Sequence, residues 1–250
     1  MERISKAQIK FIRSLQQKKY RDETGLFVAE GEKCIEELRR SFELVMHIRE
    51  GENATRTEIE QMSSLRTPQG VIGVFRKPSD SGHADKSNEH LTLALDAIQD
   101  PGNLGTIIRT CDWFGVHDIY CSPDTADCYS PKVVQATMGA LARVRIHYVD
   151  MPQWLQSQRT EQKVRIYGTL LDGKDIYEVL SAQQQTGNAG SSIIVMGNEG
   201  NGISEAVRSL ITHPVRIPSY PNKEASDVVE SLNVAIATAI VLAEFRRAVC

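Results

Sequence analysis

From residue 91 onward, short apolar runs alternate with amphipathic stretches, and no other feature of the chain constrains its fold as tightly. Leu91-Thr92-Leu93-Ala94-Leu95 suits a strand covered on both faces. His117–Tyr120, Val144–Tyr148, Val164–Gly168, Ile193–Met196 and Val215–Ile217 are further strand candidates. Helices fit between them over 103–114, 131–140, 151–160, 174–182 and 203–210. Regular alternation of this kind predicts an α/β domain with a mostly parallel sheet and helices on both faces. The closing segment from Val234 to Ala243 has no polar face. Such a helix has to be covered all round, by its own subunit or by a second one.

Before residue 78 the pattern is looser. A helix at 5–19 precedes the strand-like Leu26-Phe27-Val28-Ala29. A helix near 31–40 leads to a strand at Phe42–Ile48, and Gly70–Phe75 closes the unit. Arg76 to His90 is rich in Lys, Ser, Asp, Gly and His, with Pro78 and nothing to bury, which is linker composition. The expected organisation is a small α/β unit over 1–77, a linker over 78–90 and a larger α/β domain over 91–250.

A net charge of −3 speaks against a wholly basic nucleic-acid binder, yet positive charge is gathered at one end. Arg3, Lys6, Lys10, Arg13, Lys18, Lys19 and Arg21 stand against the single acid Glu2. Lys6, Lys10 and Arg13 fall at i, i+4 and i+7, one face of a helix whose apolar side is Ile4, Phe11, Ile12 and Leu15. That stripe is either a solvated face or a site for nucleic-acid phosphates. No stretch approaches the roughly 18 apolar residues of a membrane span, and the charged start lacks a signal region, so a cytoplasmic protein is expected. Cys34, Cys111, Cys121, Cys128 and Cys250 are scattered without Cys-x-x-Cys spacing, which suggests reduced thiols and no metal site.

Three blocks each follow a predicted strand, the edge where open α/β sheets bind ligands. The first runs from Asp96 to Thr110 and contains Asp100-Pro101-Gly102-Asn103-Leu104-Gly105. Asn103 is placed to cap the following helix, and Leu104, Ile107, Ile108, Cys111 and Phe114 form its buried face, with Arg109 off that face. The second is Met196-Gly197-Asn198-Glu199-Gly200-Asn201-Gly202-Ile203. Its Gly-x-x-Gly-x-Gly spacing is not the dinucleotide fingerprint, and Glu199 would repel a phosphate, so a ligand with adenosine and a cation suits it better. The third joins Ile217-Pro218 to Ser231-Leu232-Asn233-Val234, where Ser231 is a natural N-cap and Asn233 reads as a buried amide in need of partners. Gly168 to Asp175 nearly matches a phosphate-binding P-loop, but Asp172 and Asp175 carry the wrong charge for it.

In this order the blocks resemble the three signature motifs of the SpoU/TrmH family of RNA methyltransferases, in the SPOUT superfamily, over residues 91–247. The segment before the linker looks like the small α/β substrate-binding domain many members carry. The resemblance implies an S-adenosylmethionine-dependent enzyme methylating a ribose 2′-hydroxyl of ribosomal or transfer RNA, with a trefoil knot in the catalytic domain and a homodimer as working unit. It implies that the cofactor lies against Gly197, Ile217 and Leu232, with Thr169 and Leu170 close by. Asn103, Arg109, Glu199, Ser231 and Asn233 match its catalytic positions, Arg109 acting on the ribose or its phosphate and Glu199 and Asn103 orienting it. Two departures stand out: the loop Ser219–Glu230 is longer than usual, and Ala235 stands where many members have Ser. A base methyltransferase of the same superfamily, and an RNA-binding assembly factor without turnover, are the competing readings.

Overall fold

A computed structural model describes residues 3–78, 91–162, 164–186, 190–220 and 231–249. All but one residue of the expected linker, and most of the long loop after Pro218, therefore lie outside the described residues.

The N-terminal part comprises α1 (Lys6–Ser14), α2 (Lys18–Thr24), β1 (Leu26–Glu30), α3 (Glu32–Leu38), β2 (Leu44–Arg49), α4 (Arg56–Met62) and β3 (Val71–Arg76). Its three strands form an antiparallel sheet in the order β1-β3-β2. Ser5 opens α1 through a capping box with Gln8. The single helix expected over 5–19 is two helices. The Arg21 guanidinium draws the carbonyls of Leu15 and Gln16 to 2.9 and 2.8 Å, and Gln17 is extended where α2 begins. Periodicity gave no sign of α4, although Thr55 and Glu58 give it a full capping box.

The rest comprises β4 (Leu91–Leu95), α5 (Pro101–Trp113), β5 (Asp118–Cys121), α6 (Pro131–Thr137), β6 (Arg145–Tyr148), α7 (Met151–Gln162), β7 (Arg165–Asp175), α8 (Ile176–Thr186), β8 (Ser192–Met196), α9 (Glu205–Arg208), β9 (His213–Arg216) and α10 (Val234–Val249). Its six strands lie in the order β6-β5-β4-β8-β7-β9, every neighbouring pair parallel. The expected α/β class with a parallel sheet is what the chain adopts. Strand β7 runs to Asp175, where a helix over 174–182 was expected. Thr169 and Lys174 both register with Val215, so β7 bulges out and returns to β9.

One apolar core runs through both sheets. Phe27, Leu38 and Phe75 belong to the same buried cluster as Leu93, Leu104, Ile107 and Ile108. Phe27 lies 4.9 Å from the Tyr129 ring across the seam. A buried ion pair crosses it as well: Arg21 Nη2 donates to Asp127 Oδ2 at 2.6 Å, with Arg21 only 3% exposed.

Candidate active site

The chain leaves β4 toward β5 and β6 on one side and returns through β7 and β8 on the other, so the strand order reverses between β4 and β8. In an open parallel sheet that crevice is the natural binding position. The first two sequence blocks leave these two strands and are bonded to each other. Asn198 Nδ2 donates to the Ala97 carbonyl at 2.7 Å, and Ser204 N to the buried Asp96 carboxylate at 2.7 Å. Ala97 has φ 58, a conformation that L residues with a Cβ rarely adopt. Ser122 Oγ accepting from Ala97 N at 2.8 Å helps hold it there. Sequence reasoning gave Asp96 and Asn198 no role, although both stand inside the motifs.

Asn103 does not cap α5. Asp100 does, its Oδ1 accepting from Asn103 N at 2.8 Å, and this bond chiefly holds the Asp100 carboxyl below the usual carboxylate range. The Asn103 side chain is thereby released for another task. Its Nδ2 donates to Glu199 Oε1 at 2.6 Å, and its Oδ1 accepts from Asn233 Nδ2 at 3.0 Å. Asn233 in turn caps α10, accepting from Ala235 N at 3.0 Å, with the helix's first carbonyl bond running from Ala237 N to Asn233 O. The expected cap Ser231 is thus replaced by Asn233, which is exposed rather than buried. One amide ties together the segments after β4 and β8 and the start of α10.

At their far ends the two helices meet again, Arg246 donating to the carbonyls of Phe114 and Gly115, both at 2.6 Å. Helices α5 and α10 therefore run side by side in the same direction. Leu104, Ile107, Ile108 and Cys111 are fully buried beneath α5, as expected. Arg109 is exposed and has no hydrogen bond or ion pair among the described residues. Six residues from Asn103 at about 100° each, it points about 120° away from that amide around α5. The structure brings Asn103, Glu199 and Asn233 together and leaves Arg109 apart, so the expected orientation of Arg109 by Glu199 and Asn103 does not occur within one chain. Ser231 is exposed and makes no hydrogen bond among the described residues.

Four of the five cofactor candidates lie on or just after the neighbouring strands β8, β7 and β9. Gly197 follows β8, Ile217 follows β9, and Thr169 and Leu170 lie where β7 begins its bulge. Thr169 Oγ1 donates to the Val195 carbonyl at 3.3 Å. Leu232 immediately precedes Asn233 and is exposed. At Gly197 the turn folds back on itself so closely that a Cβ would lie 2.4 Å from Gly202 C and Ile203 N. Asn198 Oδ1 braces this turn by accepting from Gly200 N and Asn201 N at 2.9 and 3.0 Å. Within the Gly197–Gly202 turn the one charged side chain is Glu199, which suits an uncharged nucleoside carrying a cationic group, the chemistry of S-adenosylmethionine. The P-loop look-alike is excluded, because Gly168–Asp175 is strand and Asp172 is paired with Arg208 at 2.6 Å. No cluster among the described residues has the composition of a metal site.

The crevice and its paired motif loops define an α/β domain with its ligand-binding edge at the strand-order reversal. The SpoU rRNA Methylase family model matches residues 90–243, and an MRM3-like substrate binding domain matches residues 6–52. The chain belongs to the SpoU family of RNA methyltransferases, which use S-adenosylmethionine. It is 28% identical, over 98% of both chains, to the 23S rRNA (guanosine(2553)-2′-O)-methyltransferase RlmP of Bacillus subtilis. Among solved structures it is similar to a TrmH-family chain from Porphyromonas gingivalis, with 37% identity, 98% of each chain covered and a TM-score of 0.83. It is similar also to an AdoMet-bound rRNA methyltransferase from Sinorhizobium meliloti, with 29% identity, coverage of 100% and 98%, and a TM-score of 0.82.

Proposed function

We propose that this chain methylates a ribose 2′-hydroxyl of ribosomal RNA, using S-adenosylmethionine. The observation that carries this reading is the Glu199–Asn103–Asn233 relay at the strand-order reversal, beside the Gly197 turn. The B. subtilis relative, matched along nearly its whole length, favours ribosomal over transfer RNA.

Bound S-adenosylmethionine supplies the electrophilic methyl group. Gly197, Ile217 and Leu232, with Thr169 and Leu170, would hold it between the strand ends and the start of α10. The relay keeps the three motif segments in one geometry, and alignment of this kind can contribute about 7–11 kcal/mol to a displacement reaction. Glu199 Oε2 has no hydrogen-bond partner among the described residues and is left to face the ribose. Ser231 and Asn233 border the same opening. Arg109, a fixed cation, grips the phosphate beside the target and orients the ribose, whose proton leaves to water.

Arg109 does this work in the neighbouring subunit's site. It shares an exposed face of α5 with Trp113, one turn further on and 85% exposed, and the adjoining α10 exposes Ile236 by 55%. An apolar surface on two packed helices, with Arg109, unpaired among the described residues, in its midst, fits a two-fold homodimer. Residues 1–77 read as the RNA-binding domain and 91–250 as the methyltransferase domain, with the knot formed where the chain re-enters at 231–233. Lys6, Lys10 and Arg13 are all exposed on α1 and have no acidic partner among the described residues, which favours a phosphate-binding stripe. No helix among the described residues is long and apolar enough to cross a membrane. The four described cysteines are free and buried, which suits a cytoplasmic protein.

The test is methyl transfer from isotope-labelled S-adenosylmethionine to unmodified ribosomal RNA, with digestion and mass spectrometry of the product. Label in a 2′-O-methylated nucleoside is expected. Label on a base overturns the ribose assignment, and absence of cofactor binding overturns the reading as a whole.

A further inference from the structure

Helices α5 and α6 touch at backbone distance. A Cβ on Gly105 would lie 2.4 Å from Ala136 Cβ and 3.0 Å from the Val133 carbonyl. This contact holds α6, at Val133 and Ala136, against the N-terminal half of α5, and Lys132, the second residue of α6, directly precedes Val133. Its stem passes Gly102, where an added Cβ would lie 3.9 Å from Lys132 Cε. The side chain is 67% exposed, and its Nζ reaches Asp100 Oδ2 at 3.5 Å, its one acidic partner among the described residues. Asp100 already uses Oδ1 to cap α5, and it is itself 48% exposed. A long contact between two exposed groups holds an ammonium weakly. A loosely held cation therefore stands beside Asp100, three residues before the relay amide Asn103.

We propose that Lys132 is a substrate-positioning residue, whose ammonium leaves Asp100 to bind a second oxyanion of the RNA, a phosphate next along from the one held by Arg109. The inference rests on the function proposed above and adds a residue to it. The cofactor also carries an oxyanion, its carboxylate, but the sheet order favours the RNA. The segment bearing Lys132 lies between β5 and β6, on one side of β4, whereas four of the five cofactor candidates lie on or just after β8, β7 and β9 on the other. RNA crossing the start of α5 meets Lys132 before it meets Asn103.

The experiment compares wild type, Lys132→Gln and Lys132→Arg in steady-state methyl transfer to ribosomal RNA across a salt series, with cofactor affinity measured by calorimetry without RNA. Losing one charge-assisted contact raises KM for RNA about tenfold in Lys132→Gln. The slope of log kcat/KM against log salt becomes shallower by about 0.7–0.9, the share of one phosphate. Lys132→Arg keeps the wild-type slope, and cofactor affinity is the same in all three. Unchanged KM and slope in Lys132→Gln overturn the inference while methyl transfer by the wild type upholds the function. Weakened cofactor binding with unchanged KM for RNA reassigns the oxyanion to the cofactor. A wild type that methylates no RNA removes both readings.

Discussion

Replacing Asn103 by Ala cuts both arms of the relay at once. The bond to Glu199, at 2.6 Å, is charge-assisted, and the bond from Asn233, at 3.0 Å, is neutral. Hydrogen bonds to charged groups contribute about 1.5–3 kcal/mol, but solvent at this opening brings the first toward about 1 kcal/mol, and the second contributes about 1 kcal/mol. If the roughly 2 kcal/mol serves alignment, kcat falls about 30-fold at about 1.4 kcal/mol per tenfold. If it serves only the fold, the same energy appears as a melting temperature lower by about 4–8 °C with kcat intact. Measuring kcat alongside thermal melting separates the two. A pair of further variants sharpens the test. Asn103→Asp sets two carboxylates against each other, and adding Glu199→Gln restores the bond with its polarity reversed, so the double variant should recover the melting temperature that Asn103→Asp loses but not the activity that needs the Glu199 carboxylate. Wild-type kcat in Asn103→Ala would refute the positioning role.

Replacing Lys6, Lys10 and Arg13 together by Gln should weaken RNA binding and flatten its salt slope by about 2–3, the share of three phosphates, while cofactor affinity measured by calorimetry stays put. Trp113→Glu should reduce the mass measured by light scattering from two chains to one and abolish methyl transfer, because Arg109 no longer reaches a site; a fully active monomer would contradict the shared site. Gly105→Ala forces a methyl group against Ala136 Cβ at 2.4 Å and should lower stability by about 2 kcal/mol, or about 4–8 °C in melting. Burial pushes the Asp118 carboxyl up, but hydrogen bonds from Arg145 and His147 outweigh it and hold the pKa at about 2. A carboxylate with a depressed pKa stabilises the fold fully above its unfolded value near 3.8 and loses that contribution as pH falls toward 2. Urea unfolding between pH 4 and pH 2 should therefore show a steeper decline in wild type than in Asp118→Asn.

The strands and the large helices after residue 91 were legible because apolar runs of five residues or so, separated by amphipathic stretches, have few other uses. What escaped the sequence depends on partners far along the chain. The break after α1 comes from Arg21, which reaches back to Leu15 and Gln16 only because Asp127, 106 residues on, anchors its other edge. The bulge that carries β7 past Thr169 exists because β9 receives it. At the site, the residue types were readable and their assignments were not. Asp100, Asn103, Ser231 and Asn233 are all competent caps, and local sequence cannot tell which one a helix uses. The angular separation of Arg109 from Asn103 was available from helical periodicity alone. The place of Lys132 was not, since it follows from the α5–α6 contact at Gly105.

The seam between the two sheets gives the basic stripe a fixed relation to the relay. Arg21 closes off the end of α1 and donates through Nε and Nη2 to Asp127 at 3.0 and 2.6 Å. Asp127 lies on the segment whose Ala126 N bonds to the Ile98 carbonyl at 2.9 Å and whose Ser122 Oγ holds Ala97. Three residues past Ile98 the chain enters α5, and Asn103 follows. Hydrogen bonds and one buried ion pair thus run unbroken from the helix bearing Lys6, Lys10 and Arg13 to the helix bearing Asn103. The buried Phe27–Tyr129 contact backs them with apolar packing. Removing either partner of such an ion pair leaves an unpaired buried charge, at a cost of about 3–5 kcal/mol. On the proposed RNA-binding reading, RNA held by α1 would be presented at a set distance and angle from the relay, and selection of the target nucleotide would be a matter of the RNA's shape fitting that span.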